Sequence, residues 1–398
     1  MKTIIINVVL LFGVSISFSQ VITIEEFFQT TMPSKTVIKT FSHGLKDAFY
    51  SSQHSRKILS VTNGRIKTFD TPTGIFEDEQ PADIDLYDSK GKILTIPVEA
   101  QIRGIESFLT NNNRFAAYKQ SEDNEFIYGI FEIDGSLVKS VKNIEVRASP
   151  GGEFYYTLAT GDGSPGHIAI YDDSGNIKFR IPEVSEFQTE APSDSQLIVQ
   201  DHKFLSLWDI NAMRKVWESN ILREDYYTDT AFKISYSVKA NIIVVRDMFG
   251  CHCFDFQGNF LWAQEGLGSN KRINMVGVSD EDGKLVVTAL ESNSIRVNIF
   301  SRIGILLKEI WIDIGNNCRY SGRWNSIADV FPEYILLRFM ARVGEKKVHV
   351  TGILYYNDYD WIPLFVQGFW YLLEDEDESY TLIGFEQEDK EIIAFSIK

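Results

Sequence analysis

The sequence is poor in cysteine, and it has no long apolar run after its first 20 residues. Three cysteines in 398 residues are an odd number and too few for a disulfide framework. Without a run of about 18 apolar residues, no transmembrane helix is predicted after residue 20. The chain also lacks the GxSxG, HExxH, P-loop and dinucleotide-binding fingerprints. We therefore predict no catalytic residue, no metal ligand and no bound cofactor from local motifs.

Positive charge is scarce as well. The chain has 39 Lys and Arg against 55 Asp and Glu, which gives a formal net charge of -16. Nucleic-acid binding depends on clustered Lys and Arg, and anionic membrane surfaces attract basic segments. The charge balance therefore argues against both partners, and solubility is its ordinary explanation. Apolar residues make up 44% of the chain, enough for a large core.

The first 19 residues have the organisation of a signal peptide. Lys2 supplies a short positive region, Ile4–Phe18 is mostly apolar, and the small residues Ser17 and Ser19 precede a predicted cut before Gln20. No cysteine lies near this cut, so a bacterial lipid anchor is not expected. We predict a signal peptide over residues 1–19 and a mature domain over 20–398. The product would be periplasmic, at the cell surface or secreted.

One pattern recurs along the rest of the chain: apolar, any, apolar, aromatic, then a polar residue and, three positions further on, usually glycine. Because successive side chains of a strand point to opposite faces, the two apolar residues lie on one face and the aromatic on the other. Both faces of the strand must therefore be buried against other parts of the protein. The polar residue and the glycine fit a tight turn. The six strong copies have the aromatics Tyr87, Phe131, Tyr171, Trp208, Phe254 and Phe300, and two weaker copies end at Tyr356 and Phe395.

A second hairpin precedes each copy, so the unit has four strands and recurs about every 46 residues. Such units predict an all-β fold, a β-propeller of four-stranded antiparallel blades, with eight blades favoured and seven as the alternative. The last unit has only three strands before the chain ends. Val21–Glu25 or Thr36–Thr40 is expected to supply the fourth strand, so that pairing of the N- and C-terminal strands closes the ring.

The repeat resembles those of known propellers. Leu205–Asp209 is similar to the strand end of WD40 repeats that carries the Trp-Asp dipeptide, and Ser149–Gly152 is similar to their turn between the first two strands. Asp255–Trp262 resembles quinoprotein-like repeats. The Gly-His element of WD40 repeats is absent, so the resemblance is to the repeat superfamily and not to one family. It implies a binding platform, although a fold does not fix a function.

Cys251, His252 and Cys253 form the cluster most similar to a metal site, since two thiolates and an imidazole could hold zinc. Alternation opposes this interpretation, because His252 points away from the face that holds both cysteines. The cysteines also occupy the apolar positions of the repeat. We predict buried, unreactive cysteines. Because they are not adjacent, they also lack the vicinal disulfide of quinoprotein alcohol dehydrogenases, and no quinone is expected.

Two other features are interpreted as structural. The acidic run Glu374–Glu378 could bind calcium, but it lies in a predicted turn and lacks the glycine-punctuated spacing of a calcium loop. Trp217 and Trp262 follow their repeat aromatics at matching offsets, which predicts packing between blades and not a sugar-binding platform.

Loop length indicates the binding face. The long segments are Asp70–Asp83, Thr160–Gly166, Ser219–Thr230, Asp313–Asn325 and Arg342–Lys346. All are predicted second-to-third-strand or blade-to-blade connections, which emerge on one face of the disc. Two of these segments contain residues of the types Trp, Tyr and Arg, which contribute most of the binding energy at protein interfaces. The candidate binding residues are Arg223, Tyr226, Tyr227, Asn316, Arg319, Tyr320, Arg323 and Trp324.

We therefore expect a non-enzymatic scaffold of the bacterial cell envelope that binds a protein or peptide through this face; a glycan is another possible ligand. The alternative is an enzyme that acts on a glycan or small metabolite in the central channel. That alternative requires two or more carboxylates or histidines within about 6 Å of one another.

Overall fold

In the computed structural model the described part of the chain is built almost entirely from β-strands. The described residues are 19–23, 36–40, 53–63, 83–110, 113–123, 126–142, 146–157, 166–172, 174–184, 188–201, 204–221, 233–246, 250–265, 273–279, 281–291, 294–313, 318–320, 326–331, 333–343, 346–357, 360–377, 379–385 and 391–397. They include one short 3₁₀ helix, Val98–Ala100. In these ranges we find no helix with the length and apolarity needed to span a membrane.

Two N-terminal strands precede the repeats: β1 (Ser19–Thr23) and β2 (Thr36–Thr40). Four antiparallel sheets of four consecutive strands follow. Blade 1 contains β3 (Gln53–His54), β4 (Leu59–Asn63), β5 (Asp83–Asp88) and β6 (Gly91–Ile96). Blade 2 contains β7 (Ile102–Phe108), β8 (Arg114–Gln120), β9 (Phe126–Glu132) and β10 (Leu137–Lys142). Blade 3 contains β11 (Val146–Ala148), β12 (Tyr155–Thr157), β13 (Gly166–Tyr171) and β14 (Ile177–Val184). Blade 4 contains β15 (Gln188–Ser193), β16 (Gln196–Gln200), β17 (Phe204–Asp209) and β18 (Arg214–Asn220).

The second half of the chain continues the same order. Blade 5 contains β19 (Lys233–Ser237), β20 (Ile242–Arg246), β21 (Gly250–Phe254) and β22 (Phe260–Glu265). Blade 6 contains β23 (Ile273–Val278), β24 (Leu285–Glu291), β25 (Ser294–Phe300) and β26 (Leu306–Asp313). Blade 7 contains β27 (Cys318–Tyr320), β28 (Ser326–Val330), β29 (Tyr334–Val343), β30 (Lys346–Asn357) and β31 (Asp360–Gln367). The last strands are β32 (Phe369–Glu374), β33 (Tyr380–Phe385) and β34 (Glu391–Ile397).

The structure thus has seven blades made of consecutive strands, one fewer than the eight favoured by the repeat. The last unit supplies only β32–β34, and its fourth strand is β2, which lies antiparallel to β34 with Thr36 opposite Ala394. We call β2 with β32–β34 the composite sheet. Of the two segments predicted to pair with the last unit, Thr36–Thr40 is therefore the one that does. The other, Val21–Glu25, overlaps β1, which lies parallel to β26 on blade 6.

Each sheet packs against the next along the chain, and the repeat explains how. In the third strand of blade 4, Leu205 and Leu207 lie in an apolar cluster with blade 5, whereas Trp208 packs against the cluster shared with blade 3. Blade 5 repeats this division: Cys251 and Cys253 pack with blade 6, and Phe254 packs with blade 4. The apolar pair therefore covers the following blade and the aromatic covers the preceding one.

The turn glycines join neighbouring blades. Gly258 and Gly304 have φ of +85° and +81°, a conformation that residues with a Cβ seldom adopt. A Cβ at either position would lie 2.7 Å from the ring of Trp217 or Trp262, respectively. Each tryptophan belongs to the preceding blade, and the Trp217 indole donates a 2.9 Å hydrogen bond to the Phe256 carbonyl. The predicted packing role of these tryptophans is confirmed.

Several polar contacts of the described residues meet at Arg56, which lies between the first two strands of blade 1. The Glu374 amide donates a 2.6 Å hydrogen bond to the Arg56 carbonyl. The Arg56 guanidinium lies 2.7 Å from a carboxylate oxygen of Glu281 and 5.1 Å from the centre of the Phe331 ring. Tyr380 packs edge-on against Phe331, with 5.0 Å between ring centres. We call Arg56, Glu281, Phe331, Glu374 and Tyr380 the chain-end junction.

Candidate binding surfaces

Most of the predicted binding residues lie outside the described residues. These are Arg223, Tyr226, Tyr227, Asn316, Arg323 and Trp324. The other two, Arg319 and Tyr320, lie in β27, opposite Arg342 and Ala341 of β29. The interpretation of Asp313–Asn325 as loop throughout was therefore wrong, because its centre forms a strand. Arg319 and Tyr320 are held by the backbone of a sheet.

Blade 7 is the most extended blade in the described part of the chain. Its β29 and β30 have 10 and 12 residues, and they pair continuously from Tyr334 opposite Tyr355 to Val343 opposite Lys346. Arg342, Val343 and Lys346 of the predicted long loop Arg342–Lys346 are consequently strand residues. Strand β28 pairs with the first part of β29 and β27 with its last part, so β27 extends the sheet beside the hairpin tip.

A second candidate surface lies at the inner strands of blades 3 to 5. The first strands β11, β15 and β19 are each the end strand of their sheet, and β15 lies against β19. In a propeller such strands surround the central channel. Arg147 of β11 and Glu190 of β15 form an ion pair with 3.7 Å between nitrogen and oxygen, and their side chains stay 45% and 35% exposed. The pair therefore joins two blades and remains accessible.

Tyrosines surround this pair. Tyr156 lies opposite Arg147 in blade 3, and the Tyr236 hydroxyl of blade 5 donates a 3.1 Å hydrogen bond to the carbonyl of Ala191, next to Glu190. Burial raises the pKa of Glu190, and the positive charge of Arg147 partly opposes that rise. Burial and the charge of Glu190 raise the pKa of Tyr156 as well. A carboxylate, a guanidinium and two phenols from three blades thus form one polar cluster.

Sequence reasoning did not identify this inner cluster. Arg147 lies two residues before the turn that begins at Ser149, and Glu190 lies in a strand without clear apolar alternation. The phase of the first strand of each blade is poorly marked in the sequence. The turn at Ser149 could have identified Arg147, because the residues just before this turn belong to an inner strand.

The Cys-His-Cys segment is core packing. Cys251 and Cys253 are fully buried in the apolar cluster between blades 5 and 6, and His252 is half-buried. Burial raises the pKa of the Cys253 thiol, which keeps it protonated and unreactive. Among the described residues we find no group of three His, Cys, Asp or Glu arranged to hold a metal ion. The prediction of buried cysteines is confirmed.

The acidic run forms the predicted turn between β32 and β33. The Asp375 carboxylate accepts hydrogen bonds from the hydroxyls of Ser379 (3.1 Å) and Thr381 (3.0 Å). Asp377 accepts a 2.6 Å hydrogen bond from the Ser379 hydroxyl, and this contact lowers the pKa of Asp377. These carboxylates therefore hold the turn together.

Comparison with solved structures shows the fold alone. A crystal structure described as the eukaryotic initiation factor is similar with a TM-score of 0.50 and 13% identity, over 87% of this chain and 84% of that one. Hsv2p of Kluyveromyces lactis is similar with a TM-score of 0.48 and 13% identity, over 85% and 98%. No protein-family profile and no curated protein matches the chain. The resemblance to WD40-like and quinoprotein-like propellers is confirmed at the level of the fold.

Proposed function

We propose that this chain is an exported β-propeller scaffold that binds a protein or peptide through the face carrying its long second-to-third-strand and blade-to-blade connections. The observation that carries the proposal is the extended blade 7. Its long hairpin and β27 place Arg319 and Tyr320 on a sheet, and sheets hold binding side chains more rigidly than loops do. Arg and Tyr are residues that commonly dominate binding energy at interfaces.

Binding is tested with the chain 20–398 immobilised and exposed to envelope extract of the source cell. The variant Arg319→Ala with Tyr320→Ala, and the variant Arg323→Ala with Trp324→Ala, should each lower recovery of the captured protein at least tenfold. Lys90→Ala is the matched control, because Lys90 lies in a third-to-fourth-strand turn, on the opposite face. Equal recovery with all four proteins would contradict the proposed face.

Export is part of the proposal and has its own test. Residues 1–30 are fused to a reporter enzyme that is active only after export. Lys2→Glu with Leu10→Asp should abolish reporter activity, because it removes the positive charge and interrupts the apolar part of the leader. Mass spectrometry of the exported chain should give Gln20 as its first residue. An active reporter with the variant leader would exclude this signal.

We further infer that the composite sheet closes the ring through the pairing of β2 with β34. In support, this sheet shares an apolar cluster with blade 7 through Trp370 and Leu382, and it contacts blade 1 at the chain-end junction. A chain beginning at residue 41 lacks β1 and β2, and it should melt at a lower temperature than a chain beginning at residue 24, which lacks only β1. Identical melting temperatures would contradict closure by β2.

The enzyme alternative has one observation in its favour, the raised pKa of Glu190 at an inner strand. A raised pKa is typical of a general acid. Yet the charged partner of Glu190 at 3.7 Å is Arg147 and not a second carboxylate, an arrangement suited to recognising a polar ligand. Hydrolysis of a panel of aryl glycosides that is lost in Glu190→Gln would support the enzyme; no hydrolysis by either protein would support the scaffold.

A further inference from the structure

Three neighbouring strands of blade 7 have a charge opposite to that of the whole chain. Strands β27, β29 and β30 contain several Lys and Arg residues and no Asp or Glu. The basic residues are Arg319, Arg338, Arg342, Lys346 and Lys347. The whole chain, by contrast, has 39 Lys and Arg against 55 Asp and Glu. Positive charge that is scarce in the protein is therefore concentrated in these strands.

The strand register aligns three of these basic residues. Arg319 of β27 lies opposite Arg342 of β29, and Arg342 lies opposite Lys347 of β30. Neighbouring strands are about 4.8 Å apart, so the three positions form a row about 10 Å long. Directly opposed residues share a face of a sheet, which places all three on one face of blade 7. We call Arg319, Arg342 and Lys347 the basic row.

The basic row lies toward the end of the hairpin formed by β29 and β30. Strand β31 pairs with β30 from Val350 to Asn357, so Lys347 precedes the part of β30 that pairs with β31. The end of this hairpin is the second-to-third-strand connection of blade 7. The row therefore belongs to the proposed binding face.

Arg338 shows that a basic residue of β29 can have a purely structural role. Its guanidinium donates a 3.0 Å hydrogen bond to the Trp370 carbonyl of the composite sheet and lies 4.1 Å from the centre of the Tyr371 ring. Arg342 is four residues, or about 13 Å, further along the strand. The contact between the two sheets at Arg338 thus explains Arg338 and not the basic row.

The alignment is unfavourable for folding alone, because like charges directly opposite each other destabilise a sheet. Local rules of this kind are typically broken at functional sites. An anionic ligand would remove the repulsion, and the planar fork of arginine matches the geometry of a carboxylate. A row about 10 Å long suits a few carboxylates better than the continuous phosphate chain of a nucleic acid.

We propose that the basic row binds an acidic peptide segment, whose Asp or Glu carboxylates neutralise Arg319, Arg342 and Lys347. This inference rests on the proposed function, since it assigns the chemistry of the partner that the binding face recognises. Clusters of arginine are a recurring means of recognising acidic motifs. Binding should weaken as salt rises, because mobile ions screen charges at the surface.

The test measures binding of a fluorescein-labelled hexaglutamate peptide to the purified full chain by fluorescence anisotropy at low ionic strength. Arg342→Ala with Lys347→Ala should weaken binding about tenfold or more, because it removes two of the three charges of the row. Lys178→Ala with Arg180→Ala is the matched control. It removes two positive charges from exposed positions of β14 in blade 3, and it should bind the peptide as the unchanged chain does.

A melting experiment separates a binding role from a structural one. Arg342→Thr should raise the melting temperature at low ionic strength, because it removes the repulsion from both neighbouring strands. Hexaglutamate should raise the melting temperature of the unchanged chain, since a ligand that binds only the folded state stabilises it. A lower melting temperature of Arg342→Thr would make the row a structural element and would overturn the proposal.

Equal peptide binding by the two double variants would also overturn the proposal. Tighter binding of an oligothymidylate of equal charge, or of phosphatidylserine vesicles, would overturn the choice of an acidic peptide if that binding is lost in Arg342→Ala with Lys347→Ala. The measurement uses no cell extract. Capture that depends on Tyr320 or Trp324 can therefore succeed when the basic row fails, and hexaglutamate can bind when capture fails.

Discussion

The interface between blades 5 and 6 and the chain-end junction join sheets by different means. Between blades 5 and 6, Val244, Cys253, Val287 and Phe300 form an apolar cluster, and Trp262 lies over the glycine of the neighbouring turn. At the junction, the described contacts are an ion pair, a cation over an aromatic ring and a backbone hydrogen bond around Arg56. Apolar packing tolerates salt and pH changes that weaken charge pairs. The contacts around Arg56 should therefore be more sensitive to salt and pH than the interface between blades 5 and 6.

The difference follows from the sequence. Each repeat carries an apolar pair for the next blade and an aromatic for the previous one, so consecutive repeats supply matching faces. At the junction, blade 1 meets a sheet assembled from both ends of the chain. The third strand of blade 1 holds the buried carboxylate of Asp85, which lies 2.6 Å from the Lys92 ammonium. At the same position of its repeat, blade 6 has Asn298. At this position blade 1 thus holds a charged group where blade 6 holds a neutral amide.

The largest expected effect is at the turn glycine of blade 5. Gly258→Ala should destabilise the protein by about 2–4 kcal/mol, because it adds left-handed backbone strain and a Cβ 2.7 Å from the Trp217 ring. Thermal unfolding followed by circular dichroism measures the change.

Gly175→Ala is the matched control for that substitution. Its φ of +78° is similar, but the nearest atom to a Cβ, on Val141, lies at an ordinary 3.5 Å. Left-handed backbone strain alone should lower the free energy of unfolding of this variant by about 1–2 kcal/mol. Equal losses in the two variants would mean that the tryptophan contact contributes nothing to the interface.

The sequence repeat was sufficient to predict the four-stranded unit and its packing against both neighbouring units. The alternation around Trp208 and Phe254 identified the third strands, their turns and the two-sided packing, because these depend on neighbouring residues. Sequence reasoning favoured eight blades where seven are built from consecutive strands. It also could not choose between Val21–Glu25 and Thr36–Thr40 as the fourth strand of the last unit, since the pairing of β2 with β34 spans more than 350 residues. It also missed Arg147 and Glu190, because only the ring brings two first strands together. It placed the binding candidates Arg319 and Tyr320 in a loop, whereas the structure places them in strand β27.

A smaller effect is expected at the junction. Arg56→Ala should lower stability by about 1 kcal/mol at low ionic strength, since it removes a partly buried ion pair with Glu281 and the contact with Phe331. The loss should shrink in 1 M salt, where the screening length is about 3 Å. Denaturant unfolding at both salt concentrations tests this. A salt-independent loss would assign the stabilisation to packing and remove the contrast between the two interfaces.

The junction should also respond to alkaline pH. Burial raises the pKa of Tyr380 to about 12, and nearby Glu374 adds to the rise. The unfolded phenol ionises near pH 10. The contribution of neutral Tyr380 to stability is therefore complete below pH 10 and is lost as pH rises toward 12. Tyr380→Phe should reduce the decline in melting temperature over this range.

Arg56 couples to the same titration. Its positive charge lowers the pKa of Tyr380, so Arg56→Ala should move tyrosinate absorbance to higher pH. Tyr236→Phe, far along the chain in blade 5, provides the control and should leave the Tyr380 titration unchanged. An unshifted titration in Arg56→Ala would place the guanidinium too far from the phenol to act on it.

The smallest effect is expected at an exposed charged contact between blade 1 and the composite sheet. The Lys90 ammonium lies 3.0 Å from a carboxylate oxygen of Glu376, but the two side chains are 65% and 89% exposed. Exposed pairs gain little, because water screens the charges and holding two long side chains costs entropy. Lys90→Ala should leave the melting temperature unchanged at every salt concentration. If it destabilised the protein as much as Arg56→Ala does, the stability of these contacts would depend on the number of charges and not on the burial of Arg56.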